Sequence, residues 1–324
     1  MMHGEFFAHL SRAFPSQINV DLTEFCNLAC THCPYETVTK PRGRERRHFG
    51  SQLNRLLIDQ IATDGKGLCR FIRYTGEGEP LLHPHLIEMM TYAATHGGVP
   101  VNLTSNGLLI DEDKAKALVD AGVDVFDISL DAHSDATYGS IRAGGPYSQV
   151  RDNTLRLIRM VRSCGRPVKV MVSFVLQSAN RHEVEAFKAF WTLEGADFVV
   201  IRPCHSAGGT LPEVSQSLWA SAPAQRGPCL YPWERVLVKP DGQVSYCPVD
   251  WRNLGNLGSL ADTTIAKLWQ GEAMTALRRA HCTNDFSGHP FCGACPDWAL
   301  TLWPDQGTTY ATAMRDLTDS SSPR

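Results

Sequence analysis

No stretch of this 324-residue chain approaches the roughly 18 consecutive apolar residues that a membrane-spanning helix needs. Its opening, MMHGEFFAHLSRAF, has no basic segment leading into an apolar core and a cleavage site, so it does not read as a secretory signal. Neither sign of charge dominates: 31 Lys and Arg stand against 34 Asp and Glu. That balance argues against a domain-wide nucleic-acid footprint. A G-x-x-x-x-G-K-[ST] phosphate loop is missing, and GEGEP at 76–80 lacks the third glycine of a dinucleotide fingerprint. Internal repeats are absent, and low complexity is confined to the SSSPR end. What remains is a globular protein, expected in the cytoplasm, with neither a membrane nor a nucleic acid as partner.

Cysteine, by contrast, is abundant. Eleven are present, at 26, 30, 33, 69, 164, 204, 229, 247, 282, 292 and 295. An odd count without an export signal argues against a disulfide framework and for metal ligation in a reducing compartment. The composition is otherwise ordinary, with 43% hydrophobic and 20% charged residues. The length implies about two domains. A chain of this size buries roughly three quarters of its unfolded surface and needs no staples.

From Gln17 to Arg202 strands and helices alternate. Strands are expected at 17–22, 70–74, 99–103, 123–130, 168–176 and 198–202, and helices at 51–63, 85–96, 111–121, 147–164 and 182–193. Six such units predict a parallel sheet with helices outside it, curving into a partial (β/α)6 barrel. The pattern stops at 203–225, a segment rich in Gly, Pro, Ser and Ala that reads as a linker. A hairpin (236–240 and 244–247) and one helix (261–281) are expected beyond it. The expected organisation is an N-terminal extension over 1–16, a barrel over 17–214, a small domain over 215–305 and a frayed tail over 306–324.

The clusters of cysteine carry the chemistry. Cys26, Cys30 and Cys33 follow the first strand as C-x3-C-x2-C. Three thiolates on one loop can hold three irons of a [4Fe–4S] cluster and leave the fourth open; a structural zinc site is the alternative. Cys229, Cys247, Cys292 and Cys295 are separated by 17, 44 and 2 residues. Four converging thiolates mean zinc or a fully ligated Fe–S cluster, and spacing alone does not decide between them.

The first loop, CNLACTHC, resembles the cluster motif of radical S-adenosylmethionine (SAM) enzymes, with His32 where that family usually carries an aromatic residue. TGEGEPLL (75–82) resembles the family's GGEP segment, implying that Gly76, Gly78 and Glu79 approach the methionine end of SAM. TSNG (104–107) and SLDA (129–132) end successive strands where the family contacts the ribose, implying Ser105, Asn106, Ser129 and Asp131. IRAGG (141–145) resembles the segment whose arginine pairs with the SAM carboxylate, implying Arg142. Every one of these segments follows the C-terminal end of a strand, where barrel sites form. The stretch from GPCLYPWERV to PFCGAC is similar to the SPASM/twitch extension of these enzymes. Its four cysteines match the shortened twitch form, nearest in spacing to 2-deoxy-scyllo-inosamine dehydrogenase-type enzymes. The resemblance implies SAM and two [4Fe–4S] clusters, one SAM-binding and one auxiliary, and an electron donor such as flavodoxin or ferredoxin.

Past the sixth strand, RPCHSAGG places Arg202, Cys204 and His205 at the expected active rim. Cys204 is a candidate hydrogen-atom donor; Arg202 and His205 are candidates to position substrate or handle a proton. Cys69 and Cys164 read as small buried hydrophobes, and Cys282 as a spare near the second group. The basic run KPRGRERRH (40–48) reads as a solvated loop or as a docking site for an anionic substrate or reductase. Only about 16 residues precede the first strand, so a small-molecule substrate is expected rather than a peptide. The implied reaction is radical hydrogen abstraction from a sugar, aminocyclitol or nucleoside-like alcohol, with the auxiliary cluster accepting an electron. Epimerisation, decarboxylation, peptide modification and a non-enzymatic zinc or Fe–S scaffold are the alternatives.

Overall fold

The computed structural model describes residues 10–41, 43–224 and 226–301. The start of the expected N-terminal extension and the whole expected tail lie outside these residues.

Among the described residues eleven strands are formed: β1 (Gln17–Asp21), β2 (Ala29–Cys30), β3 (Phe71–Thr75), β4 (Val101–Ser105), β5 (Val125–Ser129), β6 (Arg142–Ala143), β7 (Lys169–Leu176), β8 (Phe198–Pro203), β9 (Arg235–Val238), β10 (Gln243–Ser245) and β11 (Asn256–Ser259). Six of them, in the order β1-β3-β4-β5-β7-β8, are mutually parallel. This is the expected partial (β/α)6 barrel. Helices Ser51–Thr63, Leu86–His96, Glu112–Asp120, Tyr147–Ser163 and Val184–Leu193 form the crossovers. Side chains alternate across each strand. Ile18, Val20, Ile72, Phe126, Ile128 and Val172 face the helices and belong to the main core.

The opposite row lines the inside. At its lower end Phe71, Val125 and Met171 form a separate apolar cluster, with Phe198 and Val200 packed on it. Two residues further along, the row turns polar. Arg73 Nη2 and Arg202 Nη2 each donate to Asp127 Oδ2 at 2.9 Å, and Asp127 is fully buried. Two guanidinium groups hold its carboxyl below the usual range despite that burial.

The C-terminal region continues the same sheet. β9 lies parallel to β1, from Gln17↔Arg235 to Val20↔Val238, and β10 and β11 add antiparallel strands beyond it. Residue 215, the expected boundary, falls inside a helix, Pro212–Ser221. The composition of 203–225 hid that helix, although Pro at the first helical turn is favourable because its missing N–H has no partner there anyway. The single helix expected over 261–281 is two, Ile265–Gln270 and Glu272–Thr283, divided at Gly271, whose backbone is extended. Thr264 caps the first by accepting the Lys267 N–H.

Candidate active site

The first cysteine loop is braced from both sides. Glu24, buried just past β1, accepts from Arg44 at 2.5 and 2.7 Å and from the Arg47 N–H at 2.9 Å. Tyr35 opens a five-residue π-helical turn (Tyr35–Thr39), and its hydroxyl accepts from Cys26 N–H and Arg46. Arg47 also pairs with Asp241. Three arginines of the basic run are therefore struts of the loop. On its other side β2 pairs with β6, setting Cys30 opposite Arg142.

Cys26, Cys30 and Cys33 are half-buried. Burial pushes the Cys26 thiol up to about 11 and the Cys33 thiol to about 12, and neighbouring thiols add to both shifts. Arg142 opposes the rise at Cys30, while Asp131 and Glu79 add to it. The structure thus brings the loop, the GEGEP segment, Arg142 and the end of β5 within electrostatic range of one another.

Glu79 joins these segments. It is buried; Oε1 accepts from Ser105 Oγ at 2.8 Å and Leu81 N at 3.1 Å, and Oε2 from Asn106 N at 2.8 Å. Burial raises its pKa, against those hydrogen bonds. Asn106 in turn donates to Asn27 of the cysteine loop and accepts from Leu108 N. The glycines allow close approach. A Cβ on Gly78 would lie 2.3 Å from the carbonyl oxygens of Thr23 and Phe25, and one on Gly76 would lie 1.9 Å from Asp21 Oδ1. In this structure Gly76, Gly78, Glu79, Ser105 and Asn106 all lie at close approaches or hydrogen bonds between segments of the chain.

Asp131 is held more tightly still. Its φ is 61°, a left-handed conformation that costs free energy outside glycine. Oδ1 accepts from Val175 N at 2.6 Å, and Oδ2 from Arg142 at 2.6 and 2.7 Å. Asn180 donates to the Asp131 carbonyl. His32 Nε2 lies 3.4 Å from Oδ2, and its Nδ1 meets Gln177. Burial lowers the His32 pKa to about 4. Ser129, the last residue of β5, is half-buried.

At the mouth, Cys204 is half-buried and burial pushes its thiol up to about 11, with Asp131 and Asp297 contributing. His205 is exposed at the mouth, and desolvation by the surrounding protein, helped by Arg202, lowers its pKa. Its Nδ1 accepts the Ala207 N–H, which leaves the ring proton on Nε2. Arg202 is paired to Asp127 and, always protonated, accepts no proton. Asp297 was not anticipated from sequence. It lies two residues past Cys295, is buried, and accepts from Ser206 N at 2.6 Å and Gly208 N at 2.8 Å.

The second thiol group lies around Cys229, Cys247, Cys292 and Cys295. All four thiols are raised by burial, and Cys247 is raised further by the other three. Tyr246 OH is 3.8 Å from Cys292 Sγ. Among the described residues no three His, Cys, Asp or Glu side chains close on one point as a single ion requires. Cys69 is buried, and Cys282 is exposed.

The radical SAM superfamily pattern matches residues 20–190, and an iron–sulfur cluster-binding (SPASM) domain matches 229–296. This chain belongs to the radical SAM superfamily. It is 34% identical over 171 residues to the GTP 3′,8-cyclase of Chlorobaculum tepidum, covering 52% of this chain and 48% of that one. It is 28% identical over 291 residues to mycofactocin maturase MftC of Mycobacterium tuberculosis, covering 87% and 64%. The chain spans about half the length of the cyclases it matches. Among solved structures, BtrN with AdoMet and 2-DOIA aligns with a TM-score of 0.60 at 18% identity, covering 90% and 96%. Streptococcus suis SuiB with its precursor peptide aligns at 0.65 and 12%, covering 97% and 76%. These alignments establish the fold.

As a radical SAM enzyme the protein uses SAM and a [4Fe–4S] cluster, and its SPASM region carries auxiliary Fe–S chemistry. The residues suit that demand. Each group offers soft thiolate donors, and iron would displace protons that burial otherwise keeps on the sulfurs. Among the described residues no helix is long and apolar enough to cross a membrane.

Proposed function

We propose that this enzyme takes a hydrogen atom from a carbinol carbon of a small molecule, of sugar, aminocyclitol or nucleoside-like type. The net reaction is oxidation of the alcohol: the hydrogen atom goes to the 5′-deoxyadenosyl radical, the remaining electron to the auxiliary cluster and the hydroxyl proton to solvent at the barrel mouth. One observation carries this reading. Asp297, two residues from Cys295, grips the loop that presents Cys204 and His205, so the auxiliary cysteine turn abuts the barrel mouth.

In this reading Cys26, Cys30 and Cys33 hold the SAM-binding cluster, and Cys229, Cys247, Cys292 and Cys295 saturate a single auxiliary one. Bound SAM supplies a 5′-deoxyadenosyl radical for the abstraction. Gly76, Gly78, Ser105, Asn106 and Ser129 shape the SAM pocket. Glu79 fixes the Ser105–Asn106 turn, and Asp131 fixes Arg142, the partner for the SAM carboxylate. His205 presents Nε2–H to a substrate oxygen, and Arg202 shapes the chamber beneath it. The shared turn keeps water from the reacting carbon. The electron donor is of flavodoxin or ferredoxin type, and the setting is cytoplasmic.

A second reading has its own observation. Cys204 remains a thiol at neutral pH, its pKa raised to about 11, and an S–H at the mouth can return a hydrogen atom to a substrate radical, the thiyl left behind being restored by an electron from the flavodoxin- or ferredoxin-type donor and a proton from solvent. The net result is then epimerisation. The test is anaerobic reconstitution with a panel of sugars, aminocyclitols, nucleosides and peptides. Oxidation gives a product lighter by two hydrogens, one SAM consumed per turnover, and no dependence on Cys204. Unchanged product mass with solvent deuterium incorporated, abolished by Cys204→Ala, refutes oxidation in favour of epimerisation. Loss of carbon dioxide points to decarboxylation, and turnover only on peptides removes the small-molecule assignment.

A further inference from the structure

Arg226 occupies an unusual position beside the second thiol group. Its Nη2 donates to the Cys292 carbonyl at 2.6 Å and Nη1 to the Gly293 carbonyl at 3.1 Å. The guanidinium lies 4.2 Å from the Phe286 ring centroid and 5.6 Å from that of Trp298. Among the described residues no carboxylate pairs with it. Its electrostatic neighbours are instead the thiols of Cys295, Cys292 and Cys229, and burial lowers its pKa. Its Nε is buried without an acceptor. Close by, His281 accepts the Cys229 N–H at Nδ1 and has a buried Nε2, also without a partner.

A half-buried cation with aromatic faces and no carboxylate needs a counter-charge. A four-iron cluster with four thiolates is an anion, and its sulfur atoms are acceptors for unpaired N–H donors. Reduction of such a cluster adds one further negative charge. A fixed cation beside it favours the reduced form, more strongly where the surroundings exclude water.

We infer that Arg226 is a positioning residue that raises the reduction potential of the auxiliary cluster while holding the Cys292–Cys295 turn. The inference rests on the ligand assignment proposed above, and it adds a residue outside the ligand set. It predicts that the charge, more than the hydrogen bonds, sets the potential.

The experiment uses the full chain with Cys26, Cys30 and Cys33 all changed to Ala, so that the auxiliary cluster is the only one present. Iron content and an EPR-monitored redox titration are the readouts. If this background holds no cluster, the proposed ligand assignment fails, independently of Arg226. With a cluster present, Arg226→Gln should shift the reduction equilibrium at least tenfold toward the oxidised form, about 59 mV more negative for one electron. Arg226→Lys, which keeps the charge but loses the planar fork, should stay within about twofold of the parent. An unchanged potential in Arg226→Gln overturns the inference. If Arg226→Gln loses the cluster, Arg226→Lys decides: retention at the parent potential supports the role of charge. Loss in both variants refutes it and leaves Arg226 a purely structural clasp.

Discussion

Removing the Asp297 carboxylate should loosen the loop at the barrel mouth without dissolving the barrel. The group accepts two backbone N–H bonds, from Ser206 at 2.6 Å and Gly208 at 2.8 Å. Asp297 is 4% exposed, and Ser206 is completely buried. Hydrogen bonds to a charged acceptor are worth about 1.5–3 kcal/mol each. Asp297→Ala therefore costs roughly 3–5 kcal/mol locally, less than the full sum because the carboxylate's own burial cost is relieved. Asp297→Asn keeps one acceptor but turns an NH2 toward the second donor, and should cost about half as much. Amide hydrogen exchange reads this directly, because each 1.4 kcal/mol is a factor of about ten in the opening equilibrium. Exchange at Ser206 and Gly208 should accelerate by roughly a hundredfold or more in Asp297→Ala, while strand amides such as Val172 stay protected. Substrate turnover should fall, but SAM cleavage without substrate should persist. Unchanged protection at Ser206 and Gly208 would refute the clasp, and with it the observation that joins the auxiliary turn to the mouth.

Two further outcomes follow from the same structure. Glu79→Gln should destabilise the Ser105–Asn106 turn, proposed above to shape the SAM pocket, by about 1.5–3 kcal/mol, because its amide NH2 would face the Asn106 N–H that Oε2 now accepts; weakened SAM affinity with iron content retained checks this, and wild-type affinity excludes it. For His205 the folded-state pKa lies below its ordinary value of 6.5, so the folded ring refuses a proton that the unfolded chain takes. Its contribution to stability is present above about pH 6.5 and is lost as pH falls through the depressed folded-state value. Nitrogen NMR of the labelled full chain should show His205 titrating below the usual range with the proton on Nε2; a midpoint at or above the ordinary value contradicts the lowered pKa.

The alternation of apolar residues in 17–202 and the helices between them were legible because each is a local, periodic signal. Strand β1 and helix Ser51–Thr63 lie where that periodicity put them. The cysteine loop was equally plain, since three thiols within eight residues need no tertiary information to be grouped. The motif segments at the strand ends were also local. What their residues touch was not: Glu79 and Asp131 meet Ser105 and Arg142 across loops that only the parallel sheet brings together. The basic run read as a free or docking surface because its partners, Glu24, Tyr35 and Asp241, are distant or look unremarkable in sequence. The composition of 203–225 concealed a helix, and Gly271 divided one that the periodicity ran together. Above all, nothing local announces that β9 pairs with β1, that Asp297 clasps the loop after β8, or that Arg226 rests among the thiols. Those are contacts between segments tens to hundreds of residues apart. Sequence periodicity reports which face of an element is buried; which partner covers that face is decided only when the whole chain packs.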